Sequence, residues 1–164
     1  MYDTQKHIHV MNCGSEQMGS LMLLLMHLGY QVSGCDLRTD SPHYLQLAEY
    51  GHTLFVGHCP SHLATIDLLV HPVQAPHSLE EIRNARSHGI PTITHGELLA
   101  HVLRNHDLIG TIGHTSSTTI TALIGHLLAE GNVSPTTIDN GIYGKHKRSV
   151  PLGRSLWAIV DMES

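Results

Sequence analysis

The run Asp107-Leu108-Ile109-Gly110-Thr111-Ile112-Gly113-His114-Thr115-Ser116-Ser117-Thr118-Thr119-Ile120-Thr121 sets a Gly- and hydroxyl-rich turn between an apolar stretch and a helical pattern. That is the layout of a phosphate-binding loop, where the free N–H groups of a helix start point at an anion. Gly113, Ser116, Ser117, Thr118 and Thr119 are the candidate phosphate contacts, and the Thr118 hydroxyl is the group placed to meet Mg²⁺. A loop that transfers phosphoryl groups needs a lysine to neutralise them, and Ser117 stands in that place. The residues offer anion binding without the charge that drives transfer.

A second candidate lies near the start. Ile8-His9-Val10-Met11 reads as a buried strand that enters the turn Asn12-Cys13-Gly14-Ser15. Met18, Leu21, Leu25 and Leu28 then recur at helical spacing, and Gly29 stops the helix. Gln31 to Asp36 is a second strand ending in an acid, which completes the opening βαβ of a dinucleotide-type fold. Asn12, Gly14 and Ser15 are the expected turn contacts, with Asn12 able to take a positive φ. Asp36 is placed to hydrogen-bond a ribose or base edge, and His71, at the end of the strand 67–71, joins the same rim.

The elements that must hold these loops follow a regular rhythm. Ser41-Pro42 opens a helix to about Tyr50, Thr53 to Val56 is a strand, and Asp67 to His71 another. Ser78-Leu79-Glu80-Glu81 reads as a capping box, Ser78 the N-cap and Glu81 at the third helical position. Ile90 to Thr94 is a short strand and Gly96 to Asn105 a helix. About five βα units before residue 106 predict a Rossmann-like α/β fold, a parallel sheet with helices on both faces. Beyond 106, a helix from Thr119 to Ala129 and strands at 136–138 and 155–160 predict a smaller P-loop-type α/β remnant.

Other constellations carry a bland reading beside a sharp one. His58-Cys59-Pro60-Ser61-His62 offers two imidazoles and a thiol to Zn²⁺ if helical, but Pro60 favours a turn with exposed histidines. His7 and His9 share a strand face and read as structural, Cys35 as buried packing. Lys145-His146-Lys147-Arg148 reads as a solvated basic loop. Ser117 beside His114 lacks the orienting acid of a nucleophile–base pair.

Formal charge is −5, with 16 histidines against 9 Lys plus Arg. The acidic balance argues against nucleic-acid binding. No apolar run reaches bilayer length and the first six residues lack a signal-peptide core, so no membrane contact is expected. Cys13, Cys35 and Cys59 are widely spread, as free thiols of a cytoplasmic protein would be. Protonating every histidine would carry the charge from −5 to +11 (−5 + 16), a large lever on solubility and self-association.

With these residues assembled, the chain resembles the N-terminal portion of the Mur ligases. Met18-Gly19-Ser20-Leu21 through Leu28-Gly29-Tyr30-Gln31-Val32-Ser33-Gly34-Cys35-Asp36 is similar to the family's M-G/S-G-x…L-G-x-x-V-x-G-S-D. Ile90-Pro91 with Glu97-Leu98, Asn140-Gly141, and Leu152-Gly153 through Glu163 resemble further family motifs, and His9 falls where the family carries His. The resemblance implies a UDP-binding domain at 1–106, a truncated part of the central ATPase domain at 107–164, and Asp161 at or beside the family's metal-holding Glu.

The departures from that pattern all point toward loss. Gly113 through Thr119 replaces G-T-H-G-K-T-T, so Ser116 and Ser117 stand for a glycine and the lysine. Glu16 and Gln17 stand where the UDP loop has bare backbone, and an acid beside a diphosphate costs on the order of 1 kcal/mol or more. The expectation is a degenerate Mur ligase homologue, a pseudoenzyme on its own. It would retain a UDP-sugar or nucleotide site, with Mg²⁺ on Thr118 and Asp161 as the cofactor. Two alternatives stand beside it. One is an interaction or homodimer module pairing through exposed strand edges; the other is the N-terminal part of a split ATP-dependent ligase.

Overall fold

The computed structural model describes residues 6–77, 79–113, 116–138 and 153–162. The chain divides into two compact units, Met1–His101 and Val102–Ser164. Against the expected division at 106, this one falls in the last turn of the helix His95–Val102.

In the first unit, β1 (His7–Met11), β2 (Gln31–Asp36), β3 (Thr53–Val56), β4 (Leu68–His71) and β5 (Thr92–Thr94) form one sheet. Its order is β3-β2-β1-β4-β5 and every neighbouring pair is parallel. Between the strands run α1 (Glu16–His27), α2 (Pro42–Glu49), a 3-10 turn at Pro60–Leu63, α3 (Glu80–Ser87) and, after β5, α4 (His95–Val102). The chain winds outward from β1 to β3, then returns to lay β4 on the other side of β1. Right-handed crossovers therefore put α1 and α2 on one face and α3 on the other, the doubly wound arrangement.

Local chemistry starts and stops these helices. Ser15 caps α1, its side chain accepting the Met18 N–H at 3.3 Å. Gly29 ends the same helix at φ +85°, a conformation that disfavours any Cβ. Ser41 caps α2 by accepting from Tyr44 at 3.2 Å, and Pro42 supplies a first-turn residue with no N–H to lose.

Alternation along β1 sorts its side chains. His7, His9 and Met11 face α3, where Met11, Cys35, Leu63, Ile66, Leu69, Ile82 and Ala85 form a buried apolar cluster. Ile8 and Val10, fully buried, take the opposite face. A strand that turns two histidines toward a core is unusual, and it is what builds the site described below.

The second unit holds a three-stranded parallel sheet of order β6-β8-β7, from β6 (Asp107–Thr111), β7 (Thr136–Ile138) and β8 (Trp157–Asp161). Against it packs α5 (Ser117–Glu130). A Cβ on Gly125 would lie 2.6 Å from Thr137 Oγ1, so the glycine sets how closely α5 approaches β7. Thr121 donates to the Ser117 carbonyl at 2.8 Å and pairs with the Thr111 hydroxyl, so the interior of this unit is partly polar. No helix among the described residues is long and apolar enough to cross a membrane.

Candidate functional site

The β1–α1 turn is closed by a carboxylate. Asn12 takes φ +53°, as the turn requires, and Ser15 N donates back to the Asn12 carbonyl at 3.0 Å. Gly14 N donates to Asp36 Oδ2 and Arg38 N to Asp36 Oδ1, both at 2.8 Å. A Cβ on Gly14 would sit 2.5 Å from Ser41 Oγ, so glycine is needed here for close approach. Asp36, expected to meet a ribose, thus already accepts a backbone N–H on each oxygen and is largely buried. Ser15 is occupied as the helix cap, with the acid Glu16 as the next residue.

His71 closes β4, the strand beside β1, so Asn12 and His71 flank the same end of adjacent strands where the winding changes direction. The His71 ring is buried, with Nδ1 3.0 Å from the Pro72 carbonyl and His77 edge-on at 6.2 Å. Gly19 was not among the expected site residues. Its absent Cβ would lie 2.9 Å from the Cys13 carbonyl, so it lets α1 sit against the turn, the role of the last glycine in a dinucleotide fingerprint. Its spacing from Gly14 was the available signal.

At the β6–α5 loop the hydroxyl of Thr118 donates to Asp161 Oδ2 at 2.6 Å. Register explains the meeting: Thr111, before the loop, is paired with Asp161 at the end of β8. Ser117 is buried and Thr119 exposed, while Ser116 stands at the N-cap with no capping hydrogen bond from its side chain. Among the described residues, a Cβ on Gly113 would meet nothing closer than Ser117 Cβ at 3.9 Å, ordinary contact. His114 and the basic run 145–148 lie outside the described residues.

Beneath the first turn of α3 sits a cluster that overturns three expectations. Glu81 caps nothing: the N-cap position is Leu79, Ser78 lies outside the described residues, and the Glu81 side chain is fully buried. His58 and His62 are not exposed; their side chains are 10 % and 7 % accessible and both turn inward to Glu81. Cys35 is more than packing, its Sγ lying 3.2 Å from His58 Nδ1 and 3.5 Å from Glu81 Oε2. His9 completes the group, with Nε2 3.4 Å from Glu81 Oε1.

Burial alone would raise the Glu81 carboxyl, but the contacts with His58 and His9 outweigh it and hold it at about 2. Burial lowers His9, against the attraction of Glu81. Burial and then the Glu81 charge push the Cys35 thiol up. Distant sequence positions hid this cluster, since only the β3-β2-β1-β4 strand order brings residues 9, 35, 58, 62 and 81 together.

A doubly wound parallel sheet whose first turn and strand-end acid meet as Gly14 and Asp36 do defines a Rossmann-like α/β protein. Within that class the chain belongs to the Mur ligase family: residues 7–107 match the Mur ligase family, catalytic domain. It is 31% identical over 156 residues to a UDP-N-acetylmuramate–L-alanine ligase of Methylococcus capsulatus, covering 95% of this chain and 33% of that one. The corresponding ligase of Polaromonas naphthalenivorans is 32% identical over 158 residues, with 96% and 33% covered. The chain thus spans about a third of the length of these curated relatives.

Solved structures agree on the fold. UDP-N-acetylmuramate-alanine ligase from Thermotoga maritima superposes with TM-score 0.86 at 22% identity, over 96% of this chain and 37% of that one. The UDP-N-acetylmuramate:L-alanyl-gamma-D-glutamyl-meso-diaminopimelate ligase of Neisseria meningitides gives 0.84 at 24% identity, over 96% and 52%.

Proposed function

We propose that this chain is a nucleotide- or UDP-sugar-binding homologue of the peptidoglycan-synthesising Mur ligases that does not run the ligase reaction alone. The observation that carries the reading is the pairing of Thr118 with Asp161 at 2.6 Å beside a buried Ser117. A hydroxyl and a carboxylate are the hard oxygen donors that suit Mg²⁺, so this pair would hold the ion with a bound nucleotide. Mg²⁺ would supply charge to the phosphates; the loop residues from Gly113 to Thr119 supply no lysine to add to it. Transfer rests on positioning and charge neutralisation, so binding outlasts catalysis when the lysine is gone.

At the other loop, Asn12, Gly14, Ser15, Asp36 and His71 would receive the UDP-sugar at the rim between β1 and β4. Glu16 weakens the hold on a diphosphate. Calorimetry with UDP-N-acetylmuramate and with ATP–Mg²⁺ tests both loops: millimolar or tighter UDP-sugar binding without ADP release is expected. Silence toward both ligands would sink the proposal. Ser117→Lys should tighten ATP binding, and chelating Mg²⁺ should weaken it, if the loop is still a cradle.

A second reading has its own observation. Ile120, Leu123 and Leu127 are exposed by 47 %, 54 % and 61 % along one stripe of α5. These three residues give the second unit an apolar helix face suited to a second copy or a separate protein. Light scattering would show a dimer that persists on dilution; a strict monomer at every concentration counts against the homodimer.

A further inference from the structure

The geometry of the buried cluster points to a site that neither phosphate-type loop explains. We propose that His9, Cys35, His62 and Glu81 bind one divalent transition-metal ion, with Zn²⁺ the ion they fit. The four donor atoms all lie within 4.8 Å of one another. Glu81 Oε1 is 3.2 Å from His62 Nδ1, 3.4 Å from His9 Nε2 and 3.7 Å from Cys35 Sγ. A tetrahedral ion with bonds of about 2.0–2.3 Å holds its donors about 3.3–3.7 Å apart, so two of these edges fall in that range and the third lies just below it.

The donors are aimed as well as gathered. His9 Nδ1 is 2.8 Å from Ser33 Oγ, which fixes the ring and leaves Nε2, fully buried and without a hydrogen-bond partner, facing the cluster. A ligating histidine held through its other nitrogen is the usual support of a metal site. The His62 ring stacks on Phe55 at 4.3 Å and 16°, which holds its Nδ1 toward Glu81. His58 Nδ1 lies 3.3 Å from Glu81 Oε2 and 3.2 Å from Cys35 Sγ, so it orients two of the donors.

Charge and softness choose the ion. A Cys35 thiolate and a Glu81 carboxylate bring −2, so a divalent cation leaves the buried set neutral (+2 − 1 − 1 = 0). Binding breaks the Cys35 S–H bond, forms a sulfur–metal bond and releases the proton to solvent. Two imidazoles, a thiolate and one carboxylate oxygen suit Zn²⁺, whereas Mg²⁺ and Ca²⁺ take oxygen donors. Four protein donors leave no open position, so the site is structural. It ties β1, β2, the 3-10 turn and α3 together.

The test uses the full 164-residue chain, stripped with chelator and titrated with Co²⁺, then Zn²⁺. One Co²⁺ per chain, strong visible bands of a four-coordinate ion and a sulfur-to-cobalt charge-transfer band are expected, all erased by Zn²⁺. Cys35→Ser should abolish the charge-transfer band and weaken Zn²⁺ by more than about a hundredfold, beyond the roughly 10–100-fold that supporting residues contribute. His62→Gln should weaken it too, while Cys59→Ser leaves the spectrum unchanged. Folded wild-type protein without four-coordinate bands would overturn the site, as would bands that survive Cys35→Ser. Weak binding of several ions, spread over the surface histidines, would overturn it equally. Should Cys35→Ser fail to fold, the wild-type spectrum read beside Cys59→Ser still decides.

Discussion

Gly14 N and Asp36 Oδ2 lie 2.8 Å apart, so the turn that a diphosphate would approach is already held by a carboxylate of the next strand. Asp36→Ala should therefore cost stability first and ligand second. Two backbone N–H groups lose their acceptor, at about 1–3 kcal/mol for a buried donor left unmet. Urea unfolding should show the midpoint falling without ligand present. An unchanged midpoint would mean that water replaces the carboxylate at no cost.

Two glycines give opposite expectations. Gly19→Ala drives a Cβ to 2.9 Å from the Cys13 carbonyl and from His43 Cβ, and overpacking of this kind costs about 1–3 kcal/mol. Gly96, in α4, has nothing within 4 Å of its absent Cβ among the described residues, so Gly96→Ala should stabilise by about 0.4–1 kcal/mol. Thermal melts of the pair measure both signs in one experiment.

Acid should destabilise the chelator-treated protein before any carboxylate titrates. Burial lowers His43, His52 and His95 below their ordinary 6.5, with Glu16 only partly opposing this at His43. Above about 6.5 neither folded nor unfolded chain binds these protons. As pH falls through that value the unfolded chain takes them up and the folded one does not, so stability drops until the lowered folded values are reached. The slope is steepest for the more buried rings and shallower for His52, where solvent screens the cost of its charge. The urea midpoint should fall between pH 7.5 and 5.5, and His43→Gln should shrink that fall.

The thiols should separate by reactivity. Cys59 is exposed, and its hydrogen bonds from Ser61 hold it below the ordinary thiol range. Cys13 is pushed up to about 12 by burial and then by Asp36, and Cys35 is buried too. Native protein should yield one fast thiol to a disulfide reagent and all three only when unfolded. Ser61→Ala should slow the fast one near neutral pH.

The fold was legible because its signals are local. Ser15, Gly29, Ser41 and Pro42 mark helix ends, and the short apolar runs between them mark parallel strands. Asp161 is legible only through the family resemblance, and β8 register sets it beside Thr118. The histidine cluster was not legible, for a physical reason. Glu81 carries the sequence signature of a helix cap, yet its side chain turns inward because His9, His58 and His62 offer it better partners than a backbone N–H. The alternation His7, His9 on β1 and Ser33, Cys35 on β2 was the visible half of that arrangement. The other half depends on which strands are neighbours.

That arrangement also orders events in time. His9 and Glu81 are separated by most of the first unit, and their contact closes only after α3 has docked on a sheet whose centre already exists. Non-local contacts of this kind form late, so weakening them should leave the folding rate near its starting value and speed unfolding. The cluster would then act as a latch on the native state, governing how long the first unit stays folded more than how fast it gets there.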